Sequence, residues 1–295
     1  CLADPNCIAN QDNQAEVFPS HVLHNDGDVF ASPGWIASGG TSNYNALQVS
    51  ARKGLTHGLL FQASYTWSHS LDTASSFEDA GFGSIATGQA TRGYNQFAPG
   101  LNYGNSTFDA RHRFVIAPVY EVPYHHDGLM GTLLGGWEIT GILTLQTGFP
   151  FDISYAGGSS LSLWCAAGEN FYACPDAPNQ VAPLQFTDPR KGGLSGSTWF
   201  NPGNSFVDET TGQFGNLSRN RYYGPGIINT DAGIYKNIYW PGSESRYLQL
   251  RLESYNIFNH TNFNNPNSNF TSASFGRITS AAAGRQSQLA VKIYF

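Results

Sequence analysis

Charge is what this sequence has least of. With 15 Lys and Arg and 21 Asp and Glu in 295 residues, charged side chains make up only 12% of it, against roughly 25% in an ordinary soluble domain. The formal net charge is −6, and without any basic run this excludes nucleic acid as the main partner. Long apolar runs are missing as well. No stretch approaches about 18 uninterrupted apolar residues, which excludes a helical membrane span. It leaves a membrane β-barrel open, because barrel strands carry their apolar signal only at every second position. Cysteine is scarce at four residues, and the spacings of a zinc site do not occur. What is abundant is aromatic and small: 20 Phe, 15 Tyr, 6 Trp and 33 Gly. Few charges with many aromatics is the opposite of a disordered composition.

The period along the chain is two. In the last eight residues, Leu289, Val291, Ile293 and Phe295 share one face, and Gln288, Ala290, Lys292 and Tyr294 share the other. From Tyr247 onward, Leu248, Leu250 and Leu252 oppose Gln249, Arg251 and Glu253. From Gly58, Leu59, Phe61, Ala63, Tyr65 and Trp67 oppose Gln62, Ser64, Thr66 and Ser68. Further strands are expected over Tyr44 to Lys53, Arg111 to Val122, Trp137 to Ile153 and, with weaker alternation, Thr230 to Tyr239, making seven in all. The links at 54–57, 123–136 and 240–245 are short, and those at 72–109, 155–228 and 259–284 are long. In an antiparallel meander every other link lies at the same end. All short turns therefore fall on one side and all long loops on the other, as in outer-membrane barrels with short periplasmic turns and long extracellular loops.

The fold class expected is all-β, an antiparallel transmembrane barrel meander over 44–295, preceded by an extracellular segment at 1–43. A soluble sandwich shows the same alternation. Two features favour the membrane. Trp67, Trp137 and Trp240, with Tyr65 and Tyr239, sit near strand ends, where interfacial aromatic girdles belong. Charges such as Arg52, Glu138, Arg251, Glu253 and Lys292 fall on the face opposite the apolar one.

No catalytic constellation is visible, and no cofactor or metal is expected. His125-His126-Asp127 lies in a short link, where adjacent residues do not converge as zinc ligands do. Asn25-Asp26-Gly27-Asp28 and the acidic residues from Asp4 to Asp12 offer oxygen ligands but not the ordered spacing of a calcium loop. Glu138, Glu253 and Asp152 read as polarity of a barrel lumen. The loop at 155–228 is the best candidate for contact with a small ligand. Trp164, Phe171, Tyr172, Trp199, Tyr222 and Tyr223 stand there among Gly, Asn and Ser, rigid aromatic platforms beside adaptable polar groups. Packing of the loop into a lid accounts for the same aromatics equally well.

Several segments carry a family resemblance. Ser42-Asn43-Tyr44-Asn45-Ala46-Leu47-Gln48-Val49 is followed by Tyr65-Thr66-Trp67-Ser68-His69-Ser70-Leu71-Asp72, then by Asp109-Ala110-Arg111-His112-Arg113-Phe114. Next come Gly135-Gly136-Trp137-Glu138-Ile139 and Gln146-Thr147-Gly148-Phe149-Pro150-Phe151. The fullest is Arg251-Leu252-Glu253-Ser254-Tyr255-Asn256-Ile257-Phe258-Asn259-His260-Thr261-Asn262-Phe263, with Phe275-Gly276-Arg277-Ile278-Thr279 after it. In this order, from about residue 40 to 295, the chain resembles TonB-dependent outer-membrane receptors of the Oar-like kind, which usually carry a carboxypeptidase-regulatory-like domain.

The resemblance implies a plugged barrel of 22 strands that imports a scarce ligand, such as a siderophore, oligosaccharide or peptide. TonB supplies the energy through the plug. It also implies outer-membrane lipid and the barrel-assembly machinery as partners, with Leu289, Val291, Ile293 and Phe295 resembling the terminal assembly signal. With about a third of those strands and neither plug nor TonB box in view, the chain is expected to be the C-terminal part of a longer receptor. Two other readings stay open. One is a secreted or surface β-rich binding or structural protein. The other is a complete eight-stranded barrel, with Ala15 to Leu23 as a further strand, against which Pro19 speaks.

The cysteines fall into two local pairs, Cys1 with Cys7 and Cys165 with Cys174, in loop-like surroundings that suit disulfides in an oxidising compartment. Four free thiols are the alternative. Closing loops this small stabilises by about 2–3 kcal/mol in the chain-entropy account. Mass spectrometry of the unreduced protein is expected to find both bridges, and alkylation of all four cysteines without reduction would exclude them.

Overall fold

The computed structural model describes residues 40–75, 100, 102–124, 128–153, 177–187, 189, 198–208, 215–240, 242–243 and 245–295. Seven long strands form one antiparallel meander in chain order: β1 (Ser42–Thr56), β2 (Leu59–Asp72), β3 (His112–Glu121), β4 (Trp137–Gln146), β5 (Ile227–Tyr239), β6 (Tyr247–Tyr255) and β7 (Gln286–Tyr294). A two-residue piece, Gly104–Asn105, adds to the end of β2. Strand lengths run from 9 to 15 residues, enough for the roughly 9–11 that cross a bilayer when tilted. The three short links all lie at one end of the sheet and the three long ones at the other, as the sequence pattern requires.

The shortest link shows how local chemistry sets register. Thr56 pairs with Leu59, leaving His57 and Gly58 as a two-residue turn at φ 52° and 76°. Two consecutive left-handed residues match the twist of the flanking strands. Gly58 is needed for a second reason, since a Cβ there would run into the Glu121 carbonyl of β3.

Cross-strand pairing assigns the two faces. One face carries Val49, Phe61, Ile116, Leu143, Ile234, Leu250 and Val291, related by register from strand to strand. The other carries Arg52, Gln62, Arg113, Glu138, Arg251 and Lys292. Exposure separates neighbours on β6: Leu250 and Leu252 are 39% and 48% exposed, while Gln249 is 7%. Polar groups satisfy one another on the second face. The Tyr235 hydroxyl donates to Glu253 Oε1 at 2.8 Å, and Gln249 Nε2 donates to Asn237 Oδ1 at 2.8 Å. Among the described residues no second large sheet packs on the leucine face, as a soluble sandwich would require.

Several details depart from the sequence reading. The link at 123–136 contains a helix, α1 (Gly128–Leu134), where only a turn was expected. β4 stops at Gln146 rather than Ile153, because Pro150 and Phe151 leave the sheet to pair with Tyr223 and Tyr222. β5 begins at Ile227, three residues before the expected start. Its weak alternation has a cause: Lys236 stands on the apolar face, opposite Leu250 and Trp137. Tyr239 does not belong to an outer girdle. It lies on the polar face in a ladder with Tyr247 and Tyr294, ring centroids 5.2 and 4.3 Å apart.

The described parts of the long loops pack together. Phe151, Ile153, Phe200, Phe206, Leu217 and Phe275 form a buried core above the strands, with Trp199, Tyr222 and Phe270 packed against it. Aromatic edge contacts knit it together, among them Phe200 to Phe275 at 5.1 Å.

Leu250→Arg is expected to destabilise by roughly 2–4 kcal/mol at a mid-bilayer position, and Gln249→Arg to be mild, since its side chain enters a face already holding Arg251 and Glu253. Urea unfolding in lipid vesicles measures both.

Candidate ligand-binding site

The site lies where β2, β3 and β4 end and the loops begin. Asp109, 1% exposed, organises it. Its Oδ1 accepts the Ser70 backbone N–H at 2.8 Å. Its Oδ2 accepts Arg111 Nε at 2.9 Å and the Tyr223 hydroxyl at 2.7 Å. Arg111 Nε also reaches the Tyr223 oxygen at 3.0 Å, and its guanidinium lies 5.7 Å from that ring centre. Beside it is a buried ion pair, Arg219 Nη1 to Asp72 Oδ1 at 2.6 Å, in which Arg219 also donates to the Asp72 carbonyl and, through Nη2, to Ser75 Oγ. Asn220 adds a donor to the Asn105 carbonyl at 2.7 Å, and Asn105 returns one to the Asn220 carbonyl at 2.8 Å.

Close backbone contact brings the second loop onto this frame. Gly224 N donates to the Phe149 carbonyl at 2.9 Å. Gly148 lies so near that a Cβ would meet the Gly224 carbonyl. Between these segments is a cleft of about 870 Å³, walled by Arg111, Gln146, Trp199, Arg221, Tyr222 and Tyr223, with His112 and His260 at its margin. Trp199 is fixed by Nε1 donating to the Tyr223 carbonyl at 3.0 Å. Gln146 accepts Arg113 through Oε1 at 3.1 Å, and its buried Nε2 has no partner among the described residues. Cations and flat rings together suit a planar ligand bearing acceptor groups or negative charge.

Of the six aromatics expected to contact a ligand, Trp199, Tyr222 and Tyr223 come together here. Trp164, Phe171 and Tyr172 lie outside the described residues, as do Cys1, Cys7, Cys165, Cys174, the His125-His126-Asp127 group and the acidic clusters near residues 4–28. Tyr222 also packs on Phe151 and Phe186 at 6.3 and 5.9 Å, so lining the cleft and holding the loop core are one residue's work. Asp152 is a loop-body residue rather than a lumen one, accepting the Asn220 N–H at 3.3 Å. Sequence reasoning did not single out Arg111, Arg219, Arg221 or His260 as site residues, although His260 lay within the fullest of the resembling segments. Arg111 stood within a matched segment, whereas nothing in the sequence marked Arg219 as the partner of Asp72.

A seven-strand meander with one apolar face, short turns on one side and a folded loop body on the other is the architecture of a membrane-spanning β-sheet. The family described as outer membrane beta barrel domain matches residues 5–288, and the chain belongs to it. It resides in the outer membrane of a Gram-negative-type bacterium, in contact with that membrane's lipid. In outer-membrane barrels generally the longer loops face the cell exterior and the short turns the periplasm. Neither the curated proteins nor the solved structures yielded a match to the chain.

Burial, and then the hydrogen bond to Asp109, push the Tyr223 phenol up to about 12 from its ordinary value of 10.0. A raised folded value means that the unfolded chain loses this proton first. Its contribution to stability is whole below about pH 10 and is lost as pH rises through 12. Thermal unfolding of the loop body, followed by tryptophan fluorescence, should weaken between those two pH values, and Tyr223→Phe should flatten the decline.

Proposed function

We propose that the chain is the C-terminal barrel portion of a TonB-dependent receptor of the Oar-like kind, taking up a scarce ligand through its extracellular loops. The observation that carries this reading is the fate of the matched segments. Those beginning at Asp109 and running on from Gln146 supply Arg111, His112, Gln146, Thr147 and Gly148 to the cleft, and the one ending at Asp72 braces it from beside, the Ser70 N–H donating to Asp109. A receptor that captures dilute ligand needs such a preformed extracellular pocket. A barrel larger than seven strands fits the sheet, whose β1 and β7 edges are unpaired among the described residues. Strands in hydrocarbon require closure. The ligand class the cleft favours is flat and acceptor-rich, and disulfides at Cys1–Cys7 and Cys165–Cys174 would brace the outer loops. TonB and the barrel-assembly machinery are the partners this reading supplies.

The direct test is capture of the purified full-length receptor by the immobilised periplasmic domain of its own TonB. Saturable capture is expected, and no capture would overturn the TonB reading. Deleting Phe295 is expected to reduce the full-length protein assembled in the membrane without reducing its synthesis, because the apolar terminal face of β7, with Leu289, Val291 and Ile293 exposed, is the surface offered for assembly.

A further inference from the structure

The helix α1 has no part in the cleft or in the polar face of the sheet. Its sequence from Gly128 to Gly136 contains no charged residue. At about 100° per residue, Leu133, Met130 and Leu134 fall within an arc of about 100°. They are 62%, 60% and 46% exposed. Gly128, Gly131 and Thr132 lie outside this arc. A helix of seven residues is too short to persist alone in water, so its position is set by what holds it.

It is held from the lipid-facing side. Trp137 Nε1 donates to the Leu133 carbonyl at 2.9 Å, and Lys236 Nζ donates to the same carbonyl at 3.4 Å and to that of Gly135. Trp137 and Lys236 are opposite one another in the β4–β5 register, on the face that carries Leu250 and Val291. The Lys236 ammonium lies 5.2 Å from the Trp137 ring centre. Two donors that point outward thus fasten the C-terminal end of α1 to the outer surface of the sheet at its periplasmic margin. A cation at the negative end of the helix dipole, with its stem along apolar surface, is a stable interfacial arrangement. Lys53, the other outward lysine, behaves alike at the neighbouring turn, donating to the Thr56 and Leu59 carbonyls at 3.1 and 3.0 Å.

We infer that α1 is an interfacial anchor, lying in the periplasmic leaflet of the outer membrane with Met130, Leu133 and Leu134 among phospholipid acyl chains. The occupant is lipid because the apolar arc continues a surface that lipid already covers, through Trp137 to Ile139 and Ile234. The helix itself, Gly128–Leu134, carries no charge that would need water. The helix resists displacement toward the periplasm, since that would expose Met130, Leu133 and Leu134 to water. This inference rests on the outer-membrane assignment and not on the TonB reading.

The test uses the full-length protein, with its native cysteines replaced by serine, in vesicles of phosphatidylethanolamine and phosphatidylglycerol. Nitroxides are attached through Met130→Cys and Leu133→Cys, with Val291→Cys as the lipid reference and Ser245→Cys as the aqueous one. Collisions with oxygen, which concentrates in lipid, should exceed those with a water-soluble nickel chelate at 130 and 133, in the order seen at 291. The reverse order, matching 245, would overturn the anchor. So would a benzophenone side chain at position 133 that crosslinks in cells to a protein instead of to phospholipid.

Discussion

A carboxylate that leaves water must be given donors, and Asp109 obtains them from three separate parts of the chain. One is the end of β2, through Ser70; one is its own loop, through Arg111; and one is the second long loop, through Tyr223. Burying such a group without partners costs several kcal/mol, so the loops have one low-energy way to meet. The Asp72–Arg219 pair applies the same constraint a second time across 147 positions. Removing one partner of such a pair typically costs about 3–5 kcal/mol, because the other charge stays behind. The aromatic core and the cleft exist because these charges fix the loops over the strand ends.

The meander was legible because lipid enforces it. A residue facing hydrocarbon must be apolar and its neighbour is free to be polar, so Leu248, Leu250 and Leu252 announced both a strand and its facing. Link length gave the order of the strands. Features that depend on distant partners were not legible. Nothing local says that Pro150 leaves β4 for Tyr223, or that Lys236 is acceptable on the outer face because carbonyls of α1 receive it. The candidate site was half readable for the same reason. The aromatics identified the loop, but the arginines that share the cleft, Arg111 and Arg221, stand 110 positions apart.

The segment that most resembles a family has mainly architectural work. Asn256 and Asn259 take φ of 51° where β6 gives way to the third loop. Asn256 Oδ1 accepts the His260 N–H and its Nδ2 donates to the His260 carbonyl, each at 2.9 Å. Asn262 Oδ1 accepts the Ile228 N–H at 2.9 Å, tying this loop to the start of β5, and Asn259 Oδ1 accepts the Arg285 N–H just before β7. Side-chain amides thus replace ladder hydrogen bonds where the sheet ends. His260, Thr261 and Phe263 of the same segment also line the cleft, so this stretch shapes the rim and walls the pocket at once.

The edges of β1 and β7, unpaired among the described residues, bear on how the protein is made. Each carries a row of backbone donors and acceptors, and an unpaired one costs several kcal/mol in hydrocarbon. In the aqueous periplasm the same edges are templates for pairing with foreign strands. The sheet therefore has no safe halfway state, neither lying open in the bilayer nor waiting in water. In any barrel that contains this sheet, entry into the membrane is therefore coupled to the pairing of these two edges.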